Sequence, residues 1–461
     1  MRYLLYIVSG LLFLNCNKTV EEKGITYFGG QIINPKSDKV VVYKNDKPID
    51  SAKLDTNHKF LIALDSITTG LYTFNHGNEM QYLFLEPMDS LLFRLNTWDF
   101  DESLVFSGKG AERNNFLINL FLINEKENRA FFDYYKLDQL DFEKKIDSSI
   151  QVKTKLYEQF KEELINVSPS FDKLINITIL YPLYRIKEAY PYRHKKALKL
   201  EDYPHTDPSF YRFRKDIDIN DDDLFQYYAY SQYIEDYIHH LAYEKQLIDN
   251  YQTSFYYNFM KAAYENIKSK TIKDKFLYHG ALLTLMDESA SADEKEDAKE
   301  LFFNNETNES FKNEISNLLK ASEKLPIGSK LPNIELYAVD SKKVNIADVL
   351  HNKKTIIYTW PTGLYQIDNC AKRVSYLEKN YPEYFFVGIN SKNSDNKWKQ
   401  QILSKITNQN TQFTTDLTEV DWLNVSFSRA IIIDQNGIVQ NNLTHLNNPN
   451  FEKQLKKIKN Q

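Results

Sequence analysis

Residues 358–373 read YTWPTGLYQIDNCAKR. The run KKTIIYTW that leads into them is apolar and β-branched, as a buried strand is, and it ends at Trp360. A helix is expected over about 367–380. A strand-to-helix junction presents the unpaired N–H groups and the positive dipole end of the helix, so it is a natural place for anionic or nucleophilic chemistry. One cysteine, Cys370, falls here, roughly one turn past the junction.

The segments further on continue the pattern. YFFVGIN and RAIIIDQNGIVQ read as strands, and helices fit around 395–406 and 450–459. Asn436-Gly437 supplies a positive-φ turn for a hairpin. The order β, α, β, α, hairpin, helix is that of a thioredoxin fold. Residues 326–461 resemble the thioredoxin-like module of TlpA-type, membrane-attached redoxins. The resemblance is carried by Gly328, Pro332, the strand ending in Trp360, the helix ending at Tyr381-Pro382, Asp434 and Gly437. The first 110 residues resemble a small β-domain of unknown function that often precedes this module in envelope lipoproteins, with VFSGKGAERNNF as its end. Together the resemblance covers about half the chain.

The resemblance also says where thiols would stand. In that family the strand runs into Cys-Gly-Pro-Cys. Anchored on Trp360, with Tyr381 at the helix-end tyrosine, the two cysteine positions fall on Leu364 and Ile367, so LYQI replaces the active pair. Cys370 lies three residues beyond the second position. The attacking thiol depends on the helix N-terminus for a lowered pKa, and that field decays within the first turn. A lone cysteine also has no partner to resolve a mixed disulfide. The family's cis-proline falls on Ser428. A cis peptide there costs about 2.5–4 kcal/mol, so a trans loop is expected. Cys370 then has three readings: a buried small hydrophobe, a partly exposed thiol without a dedicated role, or a single-cysteine redox centre.

The N-terminus MRYLLYIVSGLLFLNC carries Arg2 and then an apolar run from Tyr3 to Leu14, too short for a membrane span and suited to a secretory signal core. FLNC resembles a bacterial lipobox, with Asn15 where a small residue is usual. The resemblance implies acylation of Cys16, anchoring the chain to a membrane of the cell envelope on its periplasmic or surface face; a plain signal peptide cut nearby is the alternative. Each buried CH₂ of an acyl chain adds about 0.8 kcal/mol of anchoring. The chain has 2 cysteines. With Cys16 lipidated, no intramolecular disulfide is available in the mature protein, although the envelope favours disulfides.

A chain of 461 residues is expected to form two or three domains. Its hydrophobic fraction of 42% suffices for packed cores, and 13 Gly with 13 Pro argue against long disordered linkers. The net charge of −5 is spread along the chain, with no basic stripe for nucleic acid. Residues 25 to about 107 alternate short strands (ITYFGGQI, KVVVYKND, KFLIALD, GLYTFNHG, QYLFLEP, SLLFRLN) with turn signals, which predicts an antiparallel β-sandwich. From about 110 to 325 the texture is helical. Leu224, Tyr227, Ser231, Ile234, Ile238 and Leu241 mark one amphipathic face, with Asp221, Asp222 and Asp223 as its N-terminal acids. SADEKEDAKELF reads as a surface helix, and Pro182, Pro191, Pro204 and Pro208 are expected to break the region into pieces.

Other candidates are weaker. His239 and His240, beside Glu235, Asp236 and Glu244, form i,i+4 pairs that read as a polar helix face, since zinc requires three or four converging ligands and HExxH is absent. DIDIND at 216–221 has acids spaced as in a calcium loop but lacks the glycine, and Tyr227 occupies the seat of the bidentate glutamate. It reads as a linker and helix cap. No P-loop, GxGxxG or GxSxG occurs, and no cofactor is implied. FYYNF (255–259), YPYRH (190–194) and YRFRK (211–215) are aromatic clusters that either fill helix interfaces or line a surface gripping a peptide or glycan.

The expected architecture is multidomain α+β: signal peptide 1–15, tether 16–24, β-sandwich 25–109, helical region 110–325 and thioredoxin-like domain 326–461. The expected role is binding of a protein or peptide partner by a redox-inactive, lipid-anchored redoxin fold. The alternatives are a thiol-disulfide oxidoreductase or antioxidant redoxin acting through Cys370, and a structural or assembly factor of an envelope complex.

Overall fold

The computed structural model describes residues 24–163, 166–350, 353–361, 364–391, 402–406, 408–416, 420–423, 428–448 and 450–459. The expected signal segment and Cys16 lie outside the described residues, as does most of the helix expected around 395–406. Among the described residues no helix is long and apolar enough to cross a membrane. The chain mixes helices with several sheets and divides into two compact units, Met1–Leu183 and Tyr184–Gln461.

The first unit opens with eight strands: β1 (Ile25–Ile33), β2 (Lys39–Lys44), β3 (Lys47–Lys53), β4 (Lys59–Asp65), β5 (Gly70–His76), β6 (Glu79–Leu85), β7 (Ser90–Asn96) and β8 (Val105–Lys109). They form two four-stranded sheets, ordered β4-β1-β7-β8 and β3-β2-β5-β6. Alternation decides which side chains meet: Phe60, Ile62 and Leu64 of β4 point inward while their neighbours face solvent. Both sheets feed one core, in which Phe28, Phe60, Phe74 and Phe93 lie with ring centroids 5.1–5.6 Å apart. Two features differ from the antiparallel expectation. β1 and β7 pair in parallel. β3 is an additional edge strand, exposed at six of its seven positions, so its sequence carries no apolar alternation to read.

The short helix α1 (Phe100–Ser103) lies between β7 and β8, and three helices follow: α2 (Ala111–Tyr134), α3 (Gln139–Glu163) and α4 (Pro169–Leu198), whose residues from Tyr184 onward belong to the second unit. The stretch KGAERNN joins sheet to helix. Gly110, at φ 95°, caps α2 in a conformation that glycine adopts without strain. The Asn114 amide donates to the carbonyl of Phe84 and accepts from its N–H, both at 2.8 Å, and Asn115 does the same at Phe106 at 3.0 and 2.8 Å. Two side chains of α2 thus complete the outer edges of β6 and β8. Arg113 pairs with buried Asp89 at 2.7 Å.

Pro182 and Pro191 were expected to break helices, yet both lie inside α4. Proline removes the bond to the carbonyl four residues back. At Pro182 that carbonyl belongs to Thr178, and Asn124 Nδ2 donates to it at 2.9 Å. A partner from α2 replaces what the proline removed, so the helix continues.

In the second unit come α5 (Tyr228–Ile248), α6 (Phe255–Asn266), α7 (Lys270–Met286), α8 (Ala292–Asn305) and α9 (Glu309–Glu323). Ser254, Ser269, Ser291 and Asn308 cap α6 to α9, and Ser291 forms a capping box with Glu294. α5 begins at Tyr228, several residues past the aspartates expected to cap it. Asp221 Oδ1 instead accepts from the N–H groups of Asp223 and Leu224, closing a local turn.

The chain then builds β9 (Glu335–Ala338), β10 (Lys343–Asn345), α10 (Ile346–Leu350), β11 (Thr355–Thr359), α11 (Leu364–Asn380), β12 (Phe385–Ser391), β13 (Gln412–Thr415), β14 (Ala430–Ile433), β15 (Val439–Thr444) and α12 (Phe451–Lys459). These strands form one sheet ordered β10-β9-β13-β12-β11-β14-β15. β11, β12 and β13 run parallel; β14 pairs antiparallel with β11, and β15 antiparallel with β14. This is a thioredoxin-like arrangement with an extra hairpin, β9–β10, and an extra strand, β13. β11 is buried at all five positions, as a central strand covered on both faces must be. Ile356 and Tyr358 face α11 and α12; Ile357 faces the other layer with Val387 and Ile431. Asn448 Nδ2 donates to the Met286 carbonyl at 3.0 Å and Asn442 Nδ2 to the Leu325 carbonyl at 2.7 Å, tying α7 and the end of the helical segment to this domain.

Candidate functional site

β11 delivers Tyr358, Thr359 and Trp360 to the junction before α11. Tyr358 and Trp360 meet edge-on with centroids 5.4 Å apart. Trp360 Nε1 donates to Gln412 Oε1 at 3.0 Å, and Gln412 Nε2 donates to the Tyr358 hydroxyl at 3.2 Å. Gln412 comes from β13, a strand that the sequence reading did not contain. Gly388 of β12 makes room for this group: a Cβ there would stand 2.1 Å from Gln412 Oε1 and 2.6 Å from Trp360 Nε1. Burial pushes the Tyr358 phenol well above its ordinary pKa, so it stays a neutral hydrogen-bonding group.

α11 begins at Leu364, the first of the expected cysteine seats, whose side chain lies outside the described residues. Ile367, the second seat, is buried. Cys370 is the seventh residue of the helix and only 6% exposed, packed in the same core as Ile356, Tyr358, Trp360, Ile367 and Val374. Its thiol is free, and desolvation pushes its pKa up to about 12. It stands beyond the first turn, where the dipole no longer favours a thiolate. The apolar stripe Ile367, Cys370, Ala371, Val374, Leu377 at spacings of three and four shows why: this face of α11 covers the sheet.

Ser428, the seat of the family's cis-proline, is partly exposed, and its hydroxyl donates to the Thr359 carbonyl at 2.7 Å. The peptide bond before it involves Phe427, outside the described residues. The next residue, Arg429, is 1% exposed. Its guanidinium donates to the carbonyls of Asn442 at 2.7 Å and Trp422 at 2.5 Å, with no carboxylate in reach among the described residues. Burial lowers its pKa to about 10, leaving it charged at neutral pH. Gln412 and Arg429 are the polar residues here that sequence reasoning missed. For Arg429, a charged residue directly before the run AIIID was the available signal.

The other candidates are structural. Of the residues read as a polar helix face, Glu235 and Glu244 are exposed, whereas His240 and Asp236 are buried. Both are drawn inward by partners on other elements. His240 Nδ1 lies 2.9 Å from the Glu188 carbonyl oxygen, and the Asp236 carboxylate accepts from Arg185. Glu188, fully buried, holds Arg214 through both of its carboxylate oxygens. In DIDIND, Asn220 Oδ1 accepts from the N–H groups of Lys268 and Ser269, and Tyr227 is buried. Among the described residues no three His, Cys, Asp or Glu side chains converge as a metal site requires.

No protein-family model matches the chain, and no curated protein matches it. Solved structures similar to it include a Chlorobium tepidum protein assigned as the thiol:disulfide interchange protein DsbE (15% identity, 29% of this chain and 97% of that one, TM-score 0.25). The thioredoxin domain of a thiol-disulfide oxidoreductase from Bacteroides vulgatus shows 22% identity over 25% of this chain and 86% of that one, with a TM-score of 0.22. The exposed lipoprotein thioredoxin Etrx1 from Streptococcus pneumoniae shows 15% identity over 27% of this chain and 99% of that one, with a TM-score of 0.23. None reaches a TM-score of 0.5; the thioredoxin-like fold of this chain is defined by its own strand order and helix placement.

Proposed function

We propose that the chain is an envelope lipoprotein, acylated on Cys16, whose thioredoxin-like domain at 326–461 has no thiol chemistry and serves as a platform for a protein or peptide partner. The observation that carries this reading is Cys370. A redox thiol must be exposed, ionised near neutral pH and within reach of a second sulfur. Cys370 is buried, has its pKa raised to about 12, and has no second cysteine among the described residues. The polar group that remains at the junction, Tyr358–Trp360–Gln412, is saturated by its own hydrogen bonds and serves packing. In this reading residues 25–325 follow the lipid anchor and precede the platform in the chain.

The test is insulin-disulfide reduction by the full chain, with Cys370→Ser beside it. Activity at background for both, together with a partner recovered by crosslinking in cells through residues of 326–461, supports the proposal. A mixed disulfide trapped through Cys370 overturns it in favour of a redoxin working with an external thiol.

A further inference from the structure

In the second unit's helical region the end of α4 and α5 border an open cleft of about 540 Å³, within the range of small-ligand sites. Its wall is a combination of tyrosine rings and cations. Tyr192 and Tyr243 stack with centroids 4.9 Å apart at 20°, and the Tyr192 hydroxyl is fixed by Asp236 at 3.3 Å. Tyr203 and Tyr251 complete the aromatic part. Arg193, Lys195, Lys196 and Lys199 supply four positive charges, and no carboxylate lines the cavity. Desolvation raises the Tyr203 and Tyr243 phenols above their ordinary pKa, so they stay neutral donors beside these cations.

The backbone gives a second, independent observation. Both helices end in the same six-residue turn. Leu200 N–H bonds the Lys195 carbonyl at 3.0 Å and Lys199 N–H the Lys196 carbonyl at 3.4 Å; Tyr251 N–H bonds the Gln246 carbonyl at 2.8 Å and Asn250 N–H the Leu247 carbonyl at 3.2 Å. Such turns need a left-handed residue, usually glycine. In the first turn Lys199 takes this place at φ 55°; in the second Asn250 takes it at φ 51°, and Tyr251, the next residue, is also left-handed at φ 57°. A bulky side chain in this region is a strained choice that folding alone does not favour. Both strained side chains line the one cavity. Because backbone N–H groups close the helix ends, Lys196 and Lys199 are not consumed by them, and neither forms an ion pair among the described residues.

We propose that this cavity binds an anionic saccharide, its ring lying on the tyrosine faces and its carboxylate or sulfate meeting the lysines. The sign of the wall excludes the cationic ligands that tyrosine cages otherwise favour. The fixed Tyr192 and Tyr243 rings offer an apolar face suited to the C–H face of a pyranose chair, so an acidic peptide is the less suited anion. The site lies in the helical region and does not depend on the fate of Cys370.

Calorimetry on the full chain with digalacturonate and with a 6-sulfated chondroitin disaccharide tests this, and comparing the two separates carboxylate from sulfate sources. Cellobiose, inorganic sulfate and hexaglutamate are the controls. At least one acidic disaccharide is expected to bind roughly tenfold more tightly than each control, and to weaken as salt is raised. Lys199→Gly and Tyr251→Gly each remove the strained side chain, so the melting temperature should hold or rise while affinity falls about fivefold or more. Absence of binding by both acidic sugars at about 1 mM, equal binding of cellobiose, tighter binding of hexaglutamate, or unchanged affinity in Lys199→Gly overturns the proposal.

Discussion

Trp360 Nε1 and Gln412 Oε1 are joined at 3.0 Å across the sheet, linking the end of β11 to β13 in a site where a redoxin would place its catalysis. Both side chains are buried, so losing one partner leaves the other unsatisfied. Gln412→Leu is therefore expected to destabilise the domain by about 1–3 kcal/mol in denaturant unfolding, while removing the group by Gln412→Leu with Trp360→Phe together should cost less than the sum of the two. Gly388→Ala, which thrusts a methyl against the same pair, should cost about 1–3 kcal/mol as well. Additive effects of the double variant would sink the coupling.

Cys370 should behave as a core residue in solution. Burial raises its pKa to about 12, so at pH 8 it holds far less thiolate than an ordinary cysteine. Labelling by a thiol reagent at pH 8 is expected to run at least roughly a hundredfold slower in the folded than in the unfolded chain. Comparable rates would show that the thiol is open to water.

Arg429 holds the backbone carbonyls of Asn442 and Trp422. Arg429→Met should lower stability by about 2–4 kcal/mol, and Arg429→Lys should recover only part of this, because an ammonium lacks the fork that reaches both carbonyls. Equilibrium unfolding of the two variants measures it; equal stability of Lys and Arg would refute the fork.

Acid should weaken the second unit before it unfolds. His445 has a buried Nε2 with no partner among the described residues, and burial lowers its pKa from 6.5 to about 4. Burial lowers His279, its neighbour, in the same direction. The unfolded chain takes up protons below about pH 6.5 while the folded one resists, so this stability is complete above that pH and lost as pH falls toward 4. A loss of about 1–3 kcal/mol between pH 7 and 4.5 is expected, reduced in His445→Gln. The same slope in that variant would exclude His445 as its source.

What the sequence revealed follows from where each signal resides. The strands with one buried face, such as β4, and the fully buried β11 were legible because alternation or continuous apolarity is written locally. The stripe Ile367, Cys370, Val374 carried the burial of the thiol in the same way. β3 and β13 were not legible. β3 is a polar edge, and Gln412-Phe413-Thr414-Thr415 lies in a polar run whose strand character comes from its neighbours β12 and β9. The continuity of α4 through Pro182 depends on Asn124, 58 positions earlier, and no local rule contains that information. The same holds for Lys199 and Tyr251, whose meaning lies in their backbone angles.

Asn114 and Asn115 have a further consequence. By supplying amide groups at Phe84 and Phe106, they act as the last rung of each sheet, so α2 is a surrogate strand shared by both. A fragment cut at residue 109 would carry two bare edges, each a template for pairing with another copy, and Asp89 would lose its arginine. The smallest self-sufficient piece of this β-module therefore runs through the helix that follows it, and the first seam in the chain lies beyond the point where the strands stop.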